Sequence, residues 1–414
     1  MLAYLDHQAT TPCDPAVVAA MAPWWTEQFA NPASRLHRPG LLAAAAVDQA
    51  RTQILGQLGL QEGAPPSHPK ADPSGDPSGD PAGARLIFTS GATEANNLAL
   101  KGLAEAALSS GNPRRRLVSV VSEHHAVLDV LRYLERHGFA LTLLPIDAQG
   151  LLNPADLQAA LDPGAGGPVL AVSVMAANNE IGTIAPLAQL APLVHAAGAL
   201  LHVDGAQAVG HIPLAMEAWG IDLLSLSGHK LYGPKGIGAL LVAPGVQVAP
   251  QLQGGGQQGG LRPGTLPVPL IVGLAAALKQ ALADREGRAL RLAALRDQLW
   301  TGLQALGGLT LNGPPPGPQR LAHNLSVTAG GVDGTRLHQL LRRQIAVSSG
   351  SACSQGLASH VLAALGRTRA EAAATVRFGL GRGTTAQQVE QALRAMADAL
   401  DQASNRSAAS RPER

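Results

Sequence analysis

The strongest constraint on the fold is the repeated alternation of short apolar runs with helical stretches between residues 85 and 242. The apolar runs occupy residues 85–89, 117–121, 140–144, 169–175, 200–203, 221–226 and 237–242. The stretches between them show helical spacing of apolar residues, as in Val127, Leu128, Leu131 and Leu134. Strands that alternate with helices predict an α/β domain with a mostly parallel sheet, whose ligand site lies beyond the carboxyl ends of the strands.

The pattern changes after about residue 285, where a long helix rich in Arg, Ala and Leu leads to a Pro/Gly turn. Further patterns predict strands at residues 324–327 and 375–380 and a helix at residues 335–343. Thr385 and Gln388 have the spacing of a capping box ahead of another helix. We therefore predict a large domain at residues 17–286 and a smaller α+β domain formed by residues 1–16 and 287–414.

Residues 61–84 interrupt the large domain with a segment that contains no large apolar side chain. The segment ends in three tandem repeats of the form Asp-Pro-Ser/Ala-Gly. Such a sequence cannot bury enough apolar surface to offset the entropy lost on ordering, so we predict a disordered surface insert.

Charge and hydropathy exclude several function classes. The net charge of +2 argues against direct binding of nucleic acid, because such binders usually carry a basic face. The amino terminus lacks the basic and apolar regions of a secretory signal. The longest uncharged apolar stretch, residues 266–278, contains two prolines and is shorter than the ~20 residues of a membrane span. We expect a cytoplasmic protein without membrane contact.

Three predicted strand ends carry side chains that suit pyridoxal 5'-phosphate (PLP). Lys230 follows a strand within Ser-Gly-His-Lys, where its amine could form a Schiff base. Asp204 ends the preceding strand and could keep a pyridine nitrogen protonated. Residues 89–94 join a strand to a helix N-terminus, which can bind phosphate. Taken alone, Lys230 is more typical of a solvent-facing loop lysine, Asp204 is equally typical of a helix N-cap, and residues 89–94 are a weak signal, but their combination favours a PLP site.

The two cysteines differ in their surroundings. Cys353 lies in a run of small residues at positions 348–356, which favours an accessible nucleophilic thiol. Cys13 is more typical of a buried structural cysteine. The spacing of cysteine and histidine residues does not match a zinc site, and we predict no metal ligands.

These residues belong to a longer series of motifs. The chain resembles the cysteine desulfurases of the NifS/IscS type, in the class V aminotransferase group of PLP-dependent enzymes. The resemblance rests on residues 4–6, 9–12, 31–34, His37, 90–94, 123–124, 178–182, 203–207, 227–230, 262–265, 348–353 and 377–378. It covers nearly the whole chain apart from residues 61–84 and the C-terminal tail.

The resemblance implies the fold of type I PLP-dependent transferases, with the large domain binding the cofactor. Lys230 would carry PLP as a Schiff base and move the α-proton, and Asp204 would pair with the ring nitrogen. His124 would stack on the ring and assist proton transfer, while Gln207 would contact the ring hydroxyl. The further implied cofactor contacts are Asn179, the phosphate ligands Ala92, Thr93, Ser227 and His229, and Thr265 from the partner subunit of a homodimer.

The resemblance also implies the reaction. Asn179 and Arg377 would fix the carboxylate of L-cysteine, and Cys353, on a mobile loop of the small domain, would attack the substrate sulfur. The products would be L-alanine and a persulfide on Cys353, which would pass sulfur to an acceptor protein such as an iron–sulfur scaffold. The sulfur would serve iron–sulfur cluster assembly or tRNA thiolation, and iron–sulfur binding by this chain itself is left open.

Two alternatives remain at this point. One is a selenocysteine lyase or another PLP-dependent β-lyase on the same fold. The other is a non-catalytic scaffold that binds partners only, which predicts loss of the residues at the cofactor positions. The lysine, aspartate, histidine and cysteine of the motifs are all present, and this favours an enzyme.

Overall fold

A computed structural model describes residues 2–60, 84–350 and 359–409 of the chain. Within these residues the strands are β1 (Ala3–Tyr4), β2 (Arg85–Thr89), β3 (Arg116–Val120), β4 (Ala140–Leu144), β5 (Val169–Met175), β6 (Leu200–Asp204), β7 (Leu223–Ser227), β8 (Gly238–Val242), β9 (Leu309–Leu311), β10 (Asn324–Ala329), β11 (Ile345–Ala346) and β12 (Thr375–Gly379). The helices are α1 (Pro15–Met21), α2 (Pro23–Thr26), α3 (Arg38–Gln57), α4 (Ala92–Ser109), α5 (His125–Glu135), α6 (Pro154–Leu161), α7 (Leu187–Ala196), α8 (Val268–Ala283), α9 (Arg285–Leu306), α10 (Gly334–Leu341), α11 (His360–Ala364), α12 (Arg369–Ala373) and α13 (Ala386–Ala409). The predicted insert at residues 61–84, except Ala84, and the segment that carries Cys353 lie outside the described residues.

Seven strands form the central sheet in the order β2-β8-β7-β6-β5-β3-β4. The pairings among β3, β4, β5, β6 and β7 are parallel, whereas β8 runs antiparallel to both of its neighbours. All seven apolar runs predicted as strands are present in this sheet. The prediction of a mostly parallel sheet is therefore confirmed.

Helices cover both faces of the central sheet. On one face, α4 and α5 contribute Leu98 and Leu131 to a continuous apolar core. On the other face, α3, α7 and α8 contribute Ile54, Leu190 and Leu274 to a second, larger core. Burial on both faces explains why the inner strands consist mostly of apolar residues.

A smaller antiparallel sheet follows, with strand order β12-β10-β9 and a core of its own shared with α9, α10 and α13. The predicted capping box is present, because Gln388 N donates to Thr385 Oγ1 over 3.3 Å and Thr385 N donates to Gln388 Oε1 over 3.1 Å. The large α/β unit and the smaller α+β unit are thus observed. The domain bounds at residues 17–286 and 287–414 stay predictions.

The N-terminal segment connects the two sheets. Leu5 lies in the core of the smaller sheet, where β1 pairs with β11 in parallel. Val17 of α1 then lies in the larger core beside the central sheet. Cys13, interpreted from the sequence as a buried cysteine, is only partly buried against that core.

Among the described helices, none combines the length and the apolarity needed to cross a membrane.

Candidate active site

A cavity of about 460 Å³ opens at the carboxyl ends of the parallel strands. Residues from the loops after β2, β3, β5, β6 and β7 line it, together with Arg377 from β12 of the smaller sheet. Ten of the predicted site residues are brought together here: Ala92, Thr93, His124, Asn179, Asp204, Gln207, Ser227, His229, Lys230 and Arg377. The cavity lies where an open α/β sheet usually binds its ligand.

Asp204 is the last residue of β6 and is only 5% exposed. Its Oδ1 accepts a hydrogen bond from Ala206 N over 2.9 Å, and its Oδ2 accepts one from Asn96 Nδ2 over 2.8 Å. Asn96 is fully buried on α4. Two N–H donors therefore fix the orientation of a buried carboxylate beside the cavity.

Lys230 closes the short turn that follows β7. Its Nζ donates to the carbonyl oxygen of Gln8 over 3.2 Å, and Gln207 Nε2 donates to the same oxygen over 3.0 Å. The backbone of the N-terminal segment thus contacts two of the predicted cofactor residues. The lysine amine is held at the cavity wall rather than extended into solvent.

His124 precedes α5 and caps its N-terminus. Its Nδ1 accepts a hydrogen bond from Ala126 N over 3.0 Å. Burial lowers the pKa of His124, Asp204 opposes this effect, and Lys230 adds to it. The ring is therefore neutral at pH 7, and because Nδ1 is an acceptor, its proton resides on Nε2.

The N-terminus of α4 forms one end of the cavity. The helix starts at Ala92 without a capping side chain, so the backbone N–H groups of its first turn can bind an anion. A Cβ placed on Gly91 would lie 3.9 Å from Ser227 Oγ, which shows how near this hydroxyl is to the helix start. The combination of helix N–H groups and hydroxyls has the chemistry of a phosphate cradle.

Two titratable groups border this cradle. Burial, reinforced by Lys230 and Lys235, lowers the pKa of His229 to about 4, so its ring is neutral at pH 7. Burial tends to raise the pKa of Glu94, but hydrogen bonds from Arg262 and Ser90 lower it overall. Glu94 Oε1 accepts from Arg262 Nε over 2.8 Å, which compensates the negative charge beside the helix start.

Arg377 enters the cavity from β12 and is 1% exposed. One of its terminal nitrogens donates to the carbonyl oxygen of Asn179 over 2.8 Å, and the other donates to Asp6 Oδ1 over 2.9 Å. Its Nε is buried and has no hydrogen-bond partner in the part of the chain that is described. The guanidinium is thus held in place by two hydrogen bonds, and each terminal nitrogen keeps a second N–H that can bind a carboxylate.

Comparisons with known proteins agree with this geometry. The sequence profile of the family described as Aminotransferase class-V matches residues 3–62 and 80–392. The chain belongs to this family. It is 40% identical over 403 residues to "Cysteine desulfurase IscS" of Rickettsia akari, an alignment that covers 96% of this chain and 91% of that relative.

Solved structures extend the likeness to the fold. A "NifS-like protein" has a TM-score of 0.84 at 33% identity, and the match covers 97% of this chain and 100% of the other. The structure "SspA in complex with cysteine" has a TM-score of 0.72 at 32% identity, and the match covers 91% of this chain and 98% of the other. The resemblance to the NifS/IscS type and the fold of type I PLP-dependent transferases are thereby confirmed.

Not every predicted site residue of this class-V family member reaches the cavity. Thr265 is exposed on a loop and does not line the cavity of its own chain. Cys353 lies outside the described residues. The structure also adds Asn96 and Gln8, which sequence reasoning missed. Asn96 could have been found, because it follows Ala92 by one helical turn on α4.

Proposed function

We propose that the chain is a PLP-dependent cysteine desulfurase that converts L-cysteine to L-alanine and retains the sulfur as a persulfide on Cys353. The observation that carries the proposal is the convergence of Lys230, Asp204 and Arg377 on one cavity with a helix N-terminus. Homologues about 40% identical over nearly the whole chain carry the name cysteine desulfurase, which supports the same activity.

The residues of the cavity fit PLP. A buried carboxylate suits a protonated ring nitrogen, a lysine amine suits the aldehyde carbon, and an uncapped helix start suits the phosphate. We infer that the phosphate is held by hydrogen bonds from Thr93, Ser227, the ring of His229 and the helix N–H groups that begin at Ala92. Lys235, which also lines the cavity, supplies positive charge.

When bound, PLP supplies an electron sink for the bonds at the α-carbon of an amino acid. Lys230 Nζ holds the cofactor and moves the proton at the substrate α-carbon. Asp204 keeps the ring nitrogen protonated, and Asn96 orients that carboxylate. His124 contributes a neutral ring with its proton at Nε2, which can donate to or stack against the bound group.

The substrate carboxylate binds Arg377, with Asn179 beside it. The thiolate of Cys353 then attacks the sulfur of L-cysteine, so that an S–S bond forms while the carbon–sulfur bond breaks. The electron pair of the broken bond remains with the carbon fragment, which takes up protons and leaves as L-alanine. No external oxidant is required, because the substrate carbon is reduced as the two sulfurs join.

We further propose that the chain acts as a homodimer, with Thr265 of the partner subunit reaching the phosphate. Large apolar side chains are exposed between residues 25 and 36: the exposed fraction is 57% for Trp25 and 76% for Phe29, and Leu36 is fully exposed. Residues 31–33 and Arg35 line a cavity together with residues 256–258 and Leu266, so this stretch lies against the loop that carries Thr265. Exposed apolar surface of this extent is typical of a subunit interface.

The proposed reaction is tested by comparing L-cysteine with L-selenocysteine in steady-state assays of alanine release, followed by mass spectrometry of the protein. Cys353→Ser should lose alanine formation by several powers of ten, because a serine hydroxyl is almost never ionised at neutral pH. Cys13→Ser serves as the matched control and should retain activity. Normal alanine release by Cys353→Ser would contradict the mechanism.

Two other results would favour the alternative functions. A strong preference for L-selenocysteine would favour a selenocysteine lyase. A purified protein that stays colourless with added PLP would favour a non-catalytic scaffold. The acceptor protein and its use in iron–sulfur assembly or tRNA thiolation stay predictions, which partner capture from native cells can test. The cytoplasmic location also stays a prediction.

A further inference from the structure

Residues 7–14 of the N-terminal segment, which we call the strap, lie across the turn that carries Lys230 and are joined to it by hydrogen bonds. Thr11 is buried, and its backbone N donates to the carbonyl oxygen of His229 over 3.0 Å. Its Oγ1 donates to the same oxygen over 2.8 Å and accepts from Tyr232 N over 2.9 Å. A single hydroxyl therefore bridges the residue before Lys230 and the second residue after it.

The turn needs such support because Tyr232 has a φ of 65°. This left-handed conformation is unfavourable for a bulky side chain and persists only where surrounding contacts hold it. The carbonyl oxygen of Tyr232 accepts from Asp14 N over 2.9 Å, and its hydroxyl accepts from Arg382 N over 2.6 Å. The guanidinium of Arg382 lies 4.2 Å from the centre of the Tyr232 ring. Contacts therefore fix the turn from both sides of Tyr232.

The same strap touches the lysine amine itself. The carbonyl oxygen of Gln8 accepts from Lys230 Nζ over 3.2 Å, and Thr10 Oγ1 lies 3.1 Å from His229 Nδ1. On its other side the strap is tied to the smaller sheet, where His7 N donates to the carbonyl oxygen of Gly379 over 3.0 Å. The backbone position of the strap thus bears directly on where the lysine amine lies.

We propose that Thr11 is a positioning residue for Lys230, because its hydroxyl holds the strained turn that presents the lysine amine to the cavity. Valine at this position would keep the shape of the side chain but would remove a donor and an acceptor together. Tyr232 N would then be buried without its partner, and the left-handed turn could relax. The inference rests on the proposed function, in which Lys230 carries PLP.

The test compares Thr11→Val, Thr11→Ser and a control, Thr328→Val, in the full-length protein. Thr328 is a buried threonine in the smaller sheet whose Oγ1 lies 2.7 Å from Thr375 Oγ1, away from the cavity. The readouts are the dissociation constant for PLP, the pH midpoint of the visible absorbance, and kcat and KM for L-cysteine. Thr11→Ala replaces Thr11→Val if the valine variant does not fold.

Thr11→Val should weaken PLP binding and lower kcat by about tenfold each, as expected for a lost hydrogen bond that leaves a buried partner unpaired. The absorbance midpoint should shift, KM should change little, and Thr11→Ser should restore all values to within about twofold. Thr328→Val should lower the melting temperature only. A Thr11→Val enzyme with a wild-type PLP constant and absorbance midpoint would overturn the inference. A wild-type protein that does not bind PLP would instead overturn the proposed function and this inference with it.

Discussion

The contact between Asn96 and Asp204 leads to a quantitative prediction. Asn96 Nδ2 donates to Asp204 Oδ2 over 2.8 Å, whereas Asn96 Oδ1 is buried without a partner in the described part of the chain. Leucine has a similar volume and removes both atoms. A hydrogen bond to a charged group contributes about 1.5–3 kcal/mol. Without Asn96, Asp204 would lose the orientation that lets it form such a bond to the ring nitrogen; since about 1.4 kcal/mol corresponds to a factor of ten, Asn96→Leu should weaken PLP binding by roughly ten- to a hundredfold.

The fold itself should tolerate the change. The leucine leaves Asp204 Oδ2 without this donor but also removes an unpartnered buried carbonyl, so the free energy of unfolding should fall by about 1–3 kcal/mol, without loss of the fold. Asn97→Leu is a suitable control, because Asn97 Nδ2 donates to the backbone of its own helix at Thr93 and does not contact Asp204. PLP titration followed by absorbance, together with urea unfolding, separates cofactor binding from stability.

Asn96→Asp provides a second test of the same contact. The substitution would place a second carboxyl group next to Asp204, and two such groups repel each other when both are ionised. PLP binding by this variant should therefore improve as the pH falls, because the introduced carboxyl group, once protonated, can donate a hydrogen bond as the amide of Asn96 does. If Asn96→Leu binds PLP as tightly as the wild type, and Asn96→Asp shows the wild-type pH dependence, Asn96 does not orient Asp204.

Three further predictions concern the cofactor lysine, the insert and the buried His202. Lys230→Ala should lose covalent labelling by PLP and borohydride, while Lys235→Ala should keep it; a peptide map with the label on Lys235 would contradict the assignment. Deletion of residues 61–84 with a short replacement turn should leave alanine production nearly unchanged, and loss of soluble protein would show that the segment packs. Burial lowers the pKa of His202 to about 4, against the opposing effect of Asp204. Between about pH 6.5 and 4 the unfolded chain thus binds a proton that the folded chain does not, and the free energy of unfolding should fall by roughly 3 kcal/mol as the pH decreases. Urea unfolding of His202→Gln should show a smaller loss, and an equal loss would refute the assignment.

The sequence was sufficient to predict the seven strands of the central sheet and the edge at which the cavity lies. Runs such as residues 85–89, 140–144 and 169–175 match their strands residue for residue. The last of these is buried along its whole length, and burial on both faces favours a nearly continuous apolar run. Lys230 and Asp204 could be selected because each lies at the end of a strand, and parallel strands present their carboxyl ends at one edge. The motifs of the family added further cavity residues, such as His124 and Arg377.

Only the tertiary structure decided which of these groups touch. The sequence could not predict that β8 lies antiparallel between β2 and β7, because an apolar run predicts a buried strand but not its direction or its neighbours. Asn96 reaches Asp204 across 108 positions of the chain, and Thr11 reaches His229 across 218. Local spacing determines whether a segment forms a helix or a strand and which of its faces is buried. Contacts between distant segments depend on how whole elements pack against one another. Because each buried polar atom needs a hydrogen-bond partner within reach, the packing of the core determines which partner it has.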